Sequence, residues 1–173
     1  MNLTMTRILV ALLAMLATFQ ASASDLPNSS LTPGAIDSNV TQQNIQSTVC
    51  VKGYTKTVRP PASYTNKLKK RQIRQYSYGD QNPKHYEEDH LIPLSIGGNP
   101  TDPANLWPEP RLSEWSAAKK DDLEFTLYKM MCNDQIGLKE AQAEISSDWI
   151  VAYNKYVHEG KRRRHGQRFG RVE

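Results

Sequence analysis

The sequence predicts an α+β domain. Two long amphipathic helical patterns occupy its C-terminal half, and an acidic β-like run followed by a double glycine precedes them. The chain has 173 residues, of which about 150 remain once an N-terminal export segment is set aside. That is enough for one domain with a modest core and too few for two ordinary ones.

The first 23 residues read as a signal peptide. Arg7 precedes an apolar run over residues 8–17, and Ala21-Ser22-Ala23 supplies the small-x-small pattern for cleavage before Ser24. The run is about ten residues long, against the roughly 20 a transmembrane helix needs, so an exported chain without stable membrane insertion is expected, periplasmic or secreted. Removal of residues 1–23 takes away Arg7 and no acidic residue, which lowers the formal net charge from +4 to +3. Residues 24–48 are rich in Ser, Thr, Asn and Gln and read as an extended, mobile lead-in.

Two cysteines remain, Cys50 and Cys132. In an oxidising compartment they are expected to form a disulfide that stabilises by roughly 4 kcal/mol, with two buried free thiols as the alternative. Two cysteines cannot build a four-thiolate zinc site.

After "STVCVKGYTKTVRPP", with its short β-like run and closing prolines, Ser63 is placed to cap a helix over residues 64–76. Lys67, Lys69, Lys70, Arg71 and Arg74 give this helix a basic surface, and "GKRRRHGQRFGR" at residues 160–171 forms a second basic block. Such blocks are either solvated faces or holders of a polyphosphate backbone. "HYEEDHLIPL" reads as a strand ending at Pro93, and Gly97-Gly98 as the turn after it. In "TDPANLW", Asp102 and Pro103 have the signature of an N-cap and first helical position. The long helices are expected over residues 113–131 and 138–157, joined by the short break "NDQIG" as an antiparallel pair. Trp107, Trp115 and Trp149 are expected to pack in the core rather than to stack on bases.

Asp89 and His90 beside a glycine-rich loop suggest hydrolysis with a metal. A neutral imidazole accepts a proton near pH 7, and a carboxylate is a good ligand for a hard cation. Neighbours in a strand point to opposite faces, so the two share a site only if the strand ends or bulges there.

The run "DHLIPLSIGGNPTDPANLWP" closely resembles the core of HNH-type nucleases, and "YEEDH", "NLWPEP", "KKDDLE", "MMC" and "AQAEISSDW" look like a secreted branch of that group. The similarity extends over residues 86–149. The resemblance implies a small ββα-metal core supported by the two C-terminal helices, with domain boundaries at 49–158 and a basic tail at 159–173. It implies His90 as general base, Asp89 as metal ligand, and Asn105 as the residue fixing the loop that presents the base. It also implies magnesium as the cation, with manganese, nickel or zinc as substitutes. The family's third signature residue, His or Asn, has no counterpart over residues 113–120, and Glu114, Asp121 and Glu124 are the nearest acidic residues, with Lys120 beside them as a phosphate contact. Asp121 and Glu124 lie three apart and are either further ligands or a solvated, charge-paired face.

The function so implied is a secreted, metal-dependent endonuclease acting on DNA or RNA with low sequence specificity. The alternatives are a non-catalytic nucleic-acid-binding or envelope interaction protein on the same scaffold, and hydrolysis of a smaller phosphoester.

Overall fold

A computed structural model describes residues 24–159. Its regular elements are α1 (Tyr54–Val58), α2 (Ala62–Gln75), β1 (Tyr86–His90), β2 (Leu106–Pro110), α3 (Ala117–Cys132) and α4 (Leu138–Tyr153). The domain is α+β, with a two-stranded sheet and two long C-terminal helices. The expected signal peptide and the block at 160–171 lie outside the described residues.

β1 and β2 pair antiparallel from Tyr86 opposite Pro110 to His90 opposite Leu106. A two-stranded sheet has only edges, which is why β2 tolerates Pro108 and Pro110 without losing interior ladder bonds. α2 packs on this hairpin through Leu68, Gln72 and Ile73, and Gln72 donates to the Leu106 carbonyl at 2.6 Å. Ile73, Tyr76, Tyr78, Tyr86, Leu91 and Trp107 form the core between them. The helix starts at Ala62 after Pro61, and Ser63 lies inside its first turn rather than at the cap.

α3 and α4 form the second half of the molecule. Leu123, Leu127 and Met131 meet Leu138, Ala141, Ile145 and Trp149 in one cluster, and each of these seven side chains is at most 3% exposed. α4 is interrupted at Asp148, whose extended backbone breaks the helix while its carboxylate accepts from the Ile150 and Val151 amides, both at 3.0 Å. The sequence stripe continued across this point, because a local cap restarts the helix without changing the apolar face.

Residues 24–48 are irregular but packed, contrary to the mobile lead-in expected. Val40 and Ile45 are buried in the α3–α4 cluster. Trp149 donates to the Asp25 carbonyl at 3.0 Å, and the Thr32 hydroxyl donates to Leu106. The segment's polar residues satisfy turns rather than water: Asn28, Asp37 and Asn44 each accept from a nearby backbone amide. The Cys50–Cys132 disulfide, with Cα atoms 5.7 Å apart, ties the chain before α1 to the end of α3.

Candidate functional site

β1 ends at His90, and the chain then turns through Pro93, Gly97 and Gly98 before β2. Gly97 has a positive φ, and a Cβ on Gly98 would lie 1.7 Å from the Ile92 carbonyl oxygen, so the loop closes on its own backbone there. Asn105 holds that closure. Its amide donates to the carbonyls of Ile92 and Asn99 at 2.9 and 3.0 Å, and its Oδ1 accepts from the Ile92 amide at 2.9 Å. Asp102 caps a short 3-10 turn, Pro103–Asn105, and the chain enters β2 instead of continuing as an α-helix.

His90 is 4% exposed, with Nε2 3.0 Å from the Pro100 carbonyl. A carbonyl only accepts, so Nε2 carries the proton and Nδ1 the lone pair. Burial lowers the His90 pKa, and the charge of Arg59 adds to that effect, so the ring is neutral at pH 7.

The Asp89 carboxylate engages a different partner. Lys120 on α3 is fully buried, and its Nζ lies 2.5 Å from Asp89 Oδ2, 2.5 Å from Glu124 Oε1 and 2.8 Å from the His90 carbonyl oxygen. An ammonium has three donors, and all three are used. Burial pushes Asp89 up, but the charge and hydrogen bond of Lys120 outweigh it and hold the carboxyl below its ordinary range. Burial, with the like charge of Asp89, outweighs the pull of Lys120 on Glu124 and raises it to about 8. Glu109 is fully buried beside them and, mainly through that burial, is raised well above its ordinary range. The cluster therefore sets one ammonium among three carboxyls whose proton affinities are driven apart, Asp89 downward by Lys120 and Glu109 and Glu124 upward by burial.

This arrangement overturns the expected magnesium centre, and with it the metal-dependent hydrolase. Among the described residues, no group of three or more His, Cys, Asp or Glu side chains is placed to hold a metal ion. Two of the expected ligands, Asp89 and Glu124, are instead drawn to Lys120, and Asp121 is exposed on α3. With no donors to spare and no exposure, Lys120 is also not available to a phosphate.

The remaining residues fall around this centre. Lys67, Lys70, Arg71 and Arg74 point outward from α2, and Lys69 donates to the Tyr86 carbonyl at 3.1 Å. Glu87 pairs with Arg111 at 2.9 Å and His85 with Asp80 at 2.5 Å, both at the surface. Trp107 and Trp149 are fully buried, and Trp115 packs edge-on against Trp149 and Tyr153.

Beside the Lys120 cluster opens a cleft of about 450 Å³, bounded by residues 49–55, Arg59, Pro93 to Ser95, and the Asp121, Glu124, Phe125 and Tyr128 side chains of α3. Sequence reasoning passed over Arg59, Glu109 and this cleft. Only Glu109 left a local signal, since β alternation places it on the same face of β2 as Trp107.

Glu88 makes a separate contribution. Both its carboxyl oxygens are buried without a hydrogen-bond partner, and burial raises its pKa to about 8. Glu88 and Glu124 thus bind protons in the folded chain between about 4.5 and 8, where unfolded glutamates are ionised. Their stabilisation is complete below about 4.5 and is lost as pH rises through 8. The unfolding free energy measured in denaturant is expected to fall between pH 5 and pH 9, by roughly 2 kcal/mol after allowance for solvent screening. Glu88→Gln should flatten that profile, and an unchanged slope in the variant counts against a proton on Glu88.

Comparison with protein-family models, with curated proteins and with solved structures finds no match.

Proposed function

We propose that this protein binds nucleic acid through the outward face of α2 and leaves it uncut, as an exported module on a scaffold that resembles the HNH hairpin. The observation that carries the reading is the state of the α2 cations. Lys67, Lys70, Arg71 and Arg74 are exposed, and none forms a salt bridge among the described residues. An unneutralised cationic stripe of this kind suits a phosphate backbone, where released counterions drive association. The basic block at 160–171 adds charge of the same sign. The Lys120 cluster supports the non-catalytic half of the reading, because it already supplies internally the positive charge that Asp89 and Glu124 would otherwise seek. The disulfide supports placement in an oxidising compartment.

Fluorescence anisotropy with a labelled DNA duplex in chelator, across a salt series, tests this directly. The purified protein should bind, with log affinity falling linearly against log salt. Replacing Lys67, Lys70, Arg71 and Arg74 together with Ala should make that slope shallower by about 3 to 4, as expected for four lost phosphate contacts. DNA incubated with magnesium or manganese should stay intact. Folded protein that fails to bind at low salt, or that cuts only with metal, would overturn the reading.

A further inference from the structure

We propose that the cleft between residues 49–59 and α3 receives an unstacked base of a single-stranded nucleic acid, with Phe125 as the stacking surface and Arg59 as the phosphate contact. This rests on the binding reading above and narrows its substrate.

The cleft's size fits the range of small-molecule pockets, and about 450 Å³ leaves room for one nucleotide but not for a duplex. Its two walls differ in charge. Lys52 and Arg59 stand on the wall contributed by residues 49–59, and Asp121 and Glu124 stand on α3. A phosphate is attracted to the first wall and repelled by the exposed Asp121 on the second, which orients a nucleotide with its backbone toward Arg59 and its base toward α3. The exposed carboxylate of Asp121 then meets the base edge, where amino groups of cytosine, adenine and guanine are donors.

Exposure supports the same orientation. Phe125 is 60% exposed and Val51 48% exposed, and both border the cleft although a buried core lies adjacent. Lys129 sits 4.6 Å from the Phe125 ring centroid, adding a cation beside the aromatic surface. Exposed aromatic surface next to cations is how proteins hold single strands without reading sequence, because every base offers a π face. Bases stacked inside a duplex cannot reach a concave site of this kind. Continuity with α2 is short: Arg59 closes α1, and two prolines lead directly into Ala62. A strand leaving the cleft past Arg59 therefore meets the basic face of α2.

The test compares three labelled probes at one salt concentration by anisotropy: a single-stranded oligonucleotide, an abasic strand of equal length, and a duplex. The single strand should bind about 5- to 100-fold more tightly than the abasic strand. Phe125→Ala should close that gap, whereas Leu112→Ala should preserve it, since Leu112 is 80% exposed but does not line the cleft. Equal affinity for abasic and intact strands, or a gap untouched by Phe125→Ala, overturns the base site while duplex binding leaves the α2 reading standing. Absence of binding to all three probes overturns both.

Discussion

Lys120→Met is expected to destabilise the protein by about 3–5 kcal/mol, lowering the melting temperature by roughly 10–20 °C. The methionine fills most of the lysine's volume, so the loss comes from charge rather than from a cavity. Without the ammonium, the ionised Asp89 is left buried against Glu109 and Glu124, and the His90 carbonyl loses its donor. Removing one partner of a buried pair costs far more than the net worth of the pair, because the surviving charge has no solvent. The same reasoning predicts recovery. Adding Asp89→Asn and Glu124→Gln to Lys120→Met should restore most of the stability, since the uncompensated charge is gone and only hydrogen bonds remain to be satisfied. Urea unfolding of the single and triple variants, with far-UV circular dichroism as the readout, checks both. A single variant within 1 kcal/mol of the parent chain would show that the cluster is not organised around Lys120.

The Lys120 cluster also shows where sequence patterning stops. Spacing within "KKDDLE" makes Lys120 and Glu124 neighbours on one turn, so a charge-paired helix face was legible. What spacing does not carry is the direction of that face. α3 turns it toward the end of β1, which buries an ion pair that a surface reading would leave in water. The resemblance to a metal-binding hairpin led to Asp89 as a ligand, and the same carboxylate is claimed by a lysine 31 positions later. β1 and the glycine closure were readable because they are local, with Gly97 taking a positive φ, although the strand ends at His90 rather than at Pro93 because the chain already bends at Leu91 and Ile92. β2 was harder, since Asp102 and Pro103 form a true helical cap that serves only three residues before Asn105 commits its side chain to the preceding loop. Arg59 and the cleft left no sequence signal, because their neighbours are set by a disulfide between positions 82 residues apart.

That disulfide gives the second large effect. Replacing Cys50 and Cys132 together with Ser is expected to cost about 4 kcal/mol by the loop-closure entropy returned to the unfolded chain. The consequence is not uniform across the molecule. Cys50 lies in the wall of the cleft, and Cys132 ends the helix that forms the opposite wall, so the bridge fixes the spacing between Arg59 and Phe125. α2 and the hairpin are held by a separate core around Trp107, which the bridge does not touch. The double variant should therefore lose the preference for intact over abasic single strands while keeping the salt-dependent affinity for duplex. Anisotropy at a temperature well below its unfolding transition separates the two effects. If both kinds of binding decline in proportion to the fraction unfolded, the bridge acts on global stability alone and the cleft walls are held by Val49, Leu123 and Leu127 without it.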